Sequence, residues 1–181
     1  MEYGEGAGAL LWRAFFGDAL DLTVLEFDAA CLHSWAARPA NLDTVVFSGD
    51  QTDPALLKNI IDLRGPFDVV VDDGGHCMKC QIAAIENFFP NGLVPGGVLF
   101  IEDLFTAQWT GWGADGPPFS NGVLADVADA LVVRGNLYRD VDRAAVSNRR
   151  GARPRVAPLA AHMERMECTP EICAFVRSKS T

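Results

Sequence analysis

The stretch FDVVVDDGGH, residues 67 to 76, constrains the fold more than any other part of the chain. Phe67 and Val69 to Val71 make a short apolar run of the kind found in strands buried on both faces. The run ends in adjacent acids, Asp72 and Asp73, followed by Gly74, Gly75 and His76. About one helix and one loop later, GGVLFIEDL has the same form, with Val98 to Ile101 ending in Glu102 and Asp103. Further strand-like runs lie at 22–27 and 44–47, and helical spacing fills the intervals. Leu10, Leu11, Ala14 and Phe15 share a face before Gly17. Asp53 caps a helix with Pro54 at its first position and Leu56, Leu57, Ile60 and Ile61 at helical intervals. Ile82, Ile85, Phe88 and Phe89 repeat the pattern before Pro90, and NGLVPGG reads as the turn into the next strand. This alternation predicts an α/β fold with a doubly wound, mostly parallel, Rossmann-like sheet and right-handed crossovers. The closing HMERMECTPEICAFVRS predicts a C-terminal antiparallel hairpin turning at Thr169 and Pro170.

In such sheets ligands bind outside the carboxyl ends of the strands, where Glu26, Asp28, Asp50, Asp72, Asp73, Glu102 and Asp103 all fall. If the strands ending at Asp73 and Asp103 are neighbours, Asp73, Glu102 and Asp103 converge with His76, and their mutual repulsion calls for a cation. Hard oxygen ligands favour Mg²⁺, or else Ca²⁺ or Mn²⁺, over zinc. His76 follows two glycines at the same sheet edge, where an imidazole can act as a general base near neutral pH. The plainer alternative makes the aspartates helix caps or turn residues and His76 a solvent-facing residue at a helix start. Gly4, Gly6 and Gly8 precede a helix and can cradle a nucleotide-like cofactor through the backbone. Glu26, about 20 residues on, then suits the ribose hydroxyls, with Asp50 near the adenine, although either acid also serves as a cap.

At 181 residues the chain is read as one domain, 1–181, with a lid loop at 104–120, a helix at 121–133 and an irregular insertion at 134–158. Trp109 and Trp112 in the lid are candidates for the wall of an acceptor pocket. A formal charge of -9, with only NRRGARPR at 148–155 locally basic, argues against nucleic acid as a partner. No apolar run has membrane-spanning length and no secretory signal opens the chain, so a cytoplasmic protein is expected. The odd count of five cysteines favours reduced thiols. Cys77 and Cys80 form a lone C-x-x-C without the second pair a zinc site needs, so neither zinc nor a redox pair is expected. His33 and His162 read as structural.

GDQTDPALL, FDVVVDDGGH with its following amphipathic helix, and LVPGGVLFIEDL resemble the class I S-adenosylmethionine-dependent methyltransferases over roughly residues 4 to 110. They are most similar to the metal-dependent macrolide-sugar O-methyltransferases of the mycinamicin type, and EICAFVRS resembles the last strand of that fold. The resemblance implies that Asp73, Glu102 and Asp103 bind Mg²⁺, that His76 is the base, and that Glu26 holds the ribose of S-adenosylmethionine. Gly4, Gly6, Gly8, Asp50, Gln51 and Asp72 complete the implied cofactor set. The implied reaction is O-methyl transfer to a small hydroxylated acceptor, with a homo-oligomer left open. The family's first, central strand ends in an acid-x-Gly motif ahead of the glycine loop, and Met1 leaves no room for it, so a truncated chain is expected. Two other readings stand beside this one. A non-catalytic remnant would keep the fold for binding, and a nicotinamide-dependent oxidoreductase would explain the glycines and Glu26 but not the acid pairs.

Overall fold

The structure, a computed structural model, describes residues 6–106 and 162–179, together with Leu124, Val127, Ala128, Leu131 and Leu159. Gly4, Trp109, Trp112, most of the expected lid and the insertion at 134–158 lie outside the described residues, as does most of the helix expected at 121–133.

From the N-terminal side, α1 (Ala7–Phe16) leads to β1 (Thr23–Glu26), α2 (Ala29–Ala36), β2 (Val45–Ser48), α3 (Pro54–Arg64) and β3 (Phe67–Asp72). Next come α4 (Met78–Asn91), β4 (Leu93–Ile101) and the hairpin of β5 (Met163–Cys168) and β6 (Cys173–Arg177). Local chemistry explains the helix starts. Asp28 accepts from the backbone N–H groups of Ala30 and Cys31 to cap α2, and Asp53 accepts from Ala55 N–H to cap α3 ahead of Pro54. Gly6 opens α1 at φ 80°, and a Cβ there would stand 2.1 Å from the Trp35 indole nitrogen, so only glycine fits. Arg13 of α1 donates to both carboxylate oxygens of Asp43, at 2.9 and 2.7 Å, and to Thr44 Oγ1 at 2.7 Å, which ties the helix to the approach of β2.

Strands β1 and β2 pair in parallel as one small sheet, and a four-stranded sheet runs in the order β3-β4-β6-β5. In the larger sheet β3 and β4 are parallel with Val69↔Val98 and Asp72↔Ile101 in register, and β6 is antiparallel to both β4 and β5. The expected α/β alternation and closing hairpin are therefore present, with the mostly parallel sheet that was expected divided into a parallel pair and a mixed sheet. Among the described residues no strand precedes β1, and β1 and β3 do not pair with each other. The core gathers Ile85 and Phe89 of α4 with Leu93, Leu99 and Ile101 of β4, Met163 of β5 and Phe175 of β6, all fully buried.

Three local expectations need correction, and one helix is additional. Helix α4 runs through Pro90 instead of ending before it, because Pro90 sits in the last turn, one residue before the helix ends at Asn91. NGLVPGG is not simply a turn: Leu93 already pairs with Phe67, and a register shift between Phe67 and Val69 absorbs the irregular segment. Helix α2 was not singled out by its spacing. Cys77–Cys80 and Cys168–Cys173 are disulfides, and Cys31 belongs to neither, contrary to the expected reduced thiols. Each pair is brought together by the fold itself, one at the start of α4 and the other at directly opposed positions of the hairpin.

Phe89→Ala would leave a cavity between α4 and the larger sheet. Chemical unfolding should show a loss of about 3–5 kcal/mol.

Candidate functional site

One cleft of about 930 Å³ runs along β1 and β3 and reaches the residues just after β2 and β4. Gly8, Glu26, Asp50, Gln51 and Asp72 line it, as do Asp73 and Glu102. Of the expected cofactor residues, Gly6 stands at the start of α1 and packs against Trp35. Glu26 accepts from Asp28 N–H at 3.0 Å, and Asp50 accepts from the Thr52 N–H and hydroxyl at 2.7 and 2.8 Å. The hydrogen bonds from Thr52 hold the Asp50 carboxyl below its ordinary pKa.

Gln51 joins the small sheet to the large one. Its Nε2 donates to Asp72 Oδ1 at 2.8 Å, and its Oε1 accepts from Gly75 N–H at 2.6 Å. The approach is close: a Cβ at Gly74 would meet Gln51 Oε1 at 2.2 Å and displace it from its hydrogen bonds, and one at Gly75 would meet Cys80 Sγ at 2.7 Å. Asp72 Oδ2 is buried with no hydrogen-bond partner. Burial pushes the Asp72 carboxyl above its ordinary pKa, against the opposing pull of the Gln51 and Gly74 hydrogen bonds. An unsatisfied acceptor on the wall of an open cleft suits a ligand that brings a hydrogen-bond donor.

Next to it, Asp73, His76 and Asp103 each offer a ligand atom within 4.8 Å of the others. His76 Nε2 stands 3.7 Å from Asp103 Oδ2. Burial raises the pKa of Asp73 and Glu102 first of all; Asp103 adds to the rise at Asp73, and both aspartates add to it at Glu102. Glu102 thus shares the field of the cluster but is not one of the three groups within that distance. Asp103 repels Asp73 while His76 opposes that rise, and a set of two carboxylates and an imidazole at this spacing fits a divalent cation, which would offset the repulsion between the acids.

His76 and Asp103 share a further property: their φ angles are 51° and 50°, the positive values found on non-glycine residues among those described. Such conformations cost of order 1–3 kcal/mol each and persist only where surrounding structure enforces them. Thr106, which the sequence does not single out, lies against both: its hydroxyl donates to the Asp103 carbonyl at 2.6 Å and sits 3.5 Å from that of His76. The one available signal was a threonine three residues after an aspartate at a strand end, a common turn pattern.

Because the pKa values of Asp72, Asp73 and Glu102 are raised in the folded chain, it binds protons more tightly than the unfolded chain does. The stability these groups contribute is full below the ordinary carboxylate range and is lost as pH rises through the raised values. Asp73→Asn should therefore raise the metal-free Tm at about pH 8 and do so less at about pH 4.5, while added Mg²⁺ stabilises the parent chain more at the higher pH. Thermal melts at the two pH values check both signs.

No family model matches the chain. It is 36% identical over 132 residues to demethylmacrocin O-methyltransferase of Streptomyces fradiae, a match covering 70% of this chain and 31% of that protein. It is 32% identical over 134 residues to mycinamicin VI 2''-O-methyltransferase of Micromonospora griseorubida, again covering 70% and 31%. The chain thus spans about a third of the length of these curated relatives. Among solved structures it matches MycE methyltransferase from the mycinamycin biosynthetic pathway, in complex with Mg and SAH. The TM-score is 0.60 at 22% identity, over 95% of this chain and 50% of that one. By sequence over the matched stretch the chain is similar to macrolide-sugar O-methyltransferases, and it shares the Rossmann-like α/β fold of the solved methyltransferase.

Proposed function

We propose that the chain carries the catalytic edge of an S-adenosylmethionine- and Mg²⁺-dependent O-methyltransferase acting on a hydroxyl of a small-molecule acceptor. The observation that carries this reading is the convergence of Asp73, His76 and Asp103 at one end of the cleft lined by Glu26, Asp50, Gln51 and Asp72. Relatives named as sugar and macrolide O-methyltransferases, and a fold neighbour crystallised with Mg and SAH, support it.

In this reading Glu26 accepts the ribose hydroxyls, Asp50 and Gln51 flank the adenine side, and the unpartnered Asp72 oxygen accepts from the cofactor. Gly8, which lines the cleft, lets the start of α1 come close to it. Asp73 and Asp103, with Glu102 beside them, hold the cation. When bound, Mg²⁺ supplies positive charge that lowers the pKa of an acceptor hydroxyl. His76 takes the hydroxyl proton on its imidazole. The acceptor oxygen uses the freed electron pair to form a C–O bond to the methyl group as the S–CH₃ bond breaks, and that bond's electrons stay on sulfur as S-adenosylhomocysteine. Holding oxygen, methyl carbon and sulfur in line is the main contribution the scaffold makes to the rate.

A binding-only reading has one observation in its favour: β1 and β3 face the cleft without pairing, so the cofactor would lie against two separate sheets. The two readings separate in an assay of methyl transfer from labelled S-adenosylmethionine to glycosides with vicinal hydroxyls, run with Mg²⁺ and with EDTA. The proposal expects metal-dependent transfer, with His76→Gln lowering kcat about 10²–10⁴-fold at unchanged cofactor affinity. Cofactor binding with no transfer to any glycoside, by parent and variant alike, would leave the binding-only reading.

A further inference from the structure

We propose that Thr106 is a positioning residue for the cation site, its buried side chain holding the loops after β3 and β4 so that Asp73, His76 and Asp103 converge. This rests on the metal reading above. His76 and Asp103 come from separate loops, yet both adopt the left-handed backbone that non-glycine residues avoid. Histidine and aspartate enter this region more readily than most side chains, but the conformation still costs free energy, and two such residues on facing loops of one cluster call for contacts that hold them there.

Thr106 is the residue that meets both. It is buried, its N–H and hydroxyl both donate to the Asp103 carbonyl, at 3.0 and 2.6 Å, and the same hydroxyl oxygen lies 3.5 Å from the His76 carbonyl. A hydroxyl has one proton, and the shorter distance gives it to Asp103. The His76 carbonyl is then held mainly by packing against the threonine. One side chain therefore fixes the backbone that carries the Asp103 carboxylate and the His76 base beside it, a supporting role distinct from contact with the ion.

The test is Mn²⁺ binding by electron paramagnetic resonance on the full chain, with the Tm and the S-adenosylhomocysteine affinity measured on each variant. Thr106→Val keeps the shape and removes the hydroxyl; Thr106→Ser keeps the hydroxyl. The proposal expects Thr106→Val to weaken Mn²⁺ binding about 10–100-fold and Thr106→Ser to stay within about twofold, with the metal-free cofactor affinity unchanged in both. Should Thr106→Val fail to melt cooperatively, Thr106→Ala provides the same comparison. Parent-like Mn²⁺ affinity in a folded hydroxyl-free variant, while Asp73→Asn abolishes binding, would overturn the positioning role alone. Absence of Mn²⁺ binding by the parent chain would overturn the metal reading and this inference with it.

Discussion

Everything at the candidate site depends on the register between two parallel strands. With Asp72 opposite Ile101 and the Glu102 N–H donating to the Asp72 carbonyl at 2.9 Å, β3 and β4 end level with each other. Each strand is followed at once by acids, so the register sets Asp73 beside Asp103 and leaves Glu102 within their field. A shift of one residue would turn these side chains to the other face and dissolve the cluster. Half-buried Val70 of β3, packed against the core, and the buried Leu99 and Ile101 of β4 hold that register together with α4 and the hairpin. Packing energy is thereby converted into electrostatic tension at the rim, which a cation would relieve.

Much of this was legible in the sequence because it depends on local periodicity. FDVVVDD and VLFIED announce strands and their ends, and Asp53-Pro54 announces the start of α3. The cysteine pairs were not legible, since a count of five says nothing about which thiols the chain brings opposite each other. The segment after Pro90 misleads for a related reason: its prolines and glycines mimic a turn, while tertiary pairing with β3 draws Leu93 into the strand. At the site, the identities of the acids could be read, but not which three groups would meet. Glu102 and Asp103 are adjacent in sequence, and only the backbone turn at Asp103 decides that its carboxylate, with the His76 imidazole, completes the group around Asp73. The bridging geometry of Gln51 and the approach of Thr106 to His76 escape sequence reasoning, because both are contacts distant along the chain.

The cleft has a second consequence. Strands of parallel sheets are ordinarily buried on both faces, yet β1 and β3 are only half-buried where they border it. Gln51 is a direct hydrogen-bonded link between the two sheets at the functional rim, through Asp72 and Gly75. A ligand spanning Glu26 and Asp50 on one side and Asp72 on the other would join the halves as it bound. Cofactor affinity and the cohesion of the fold are coupled in this arrangement.

The most direct test is isothermal titration of S-adenosylhomocysteine into the purified chain, once with Mg²⁺ and once with EDTA. Saturable binding at micromolar concentration would establish the cleft as a methyltransferase cofactor site. No heat of binding by a chain that still melts cooperatively would contradict it.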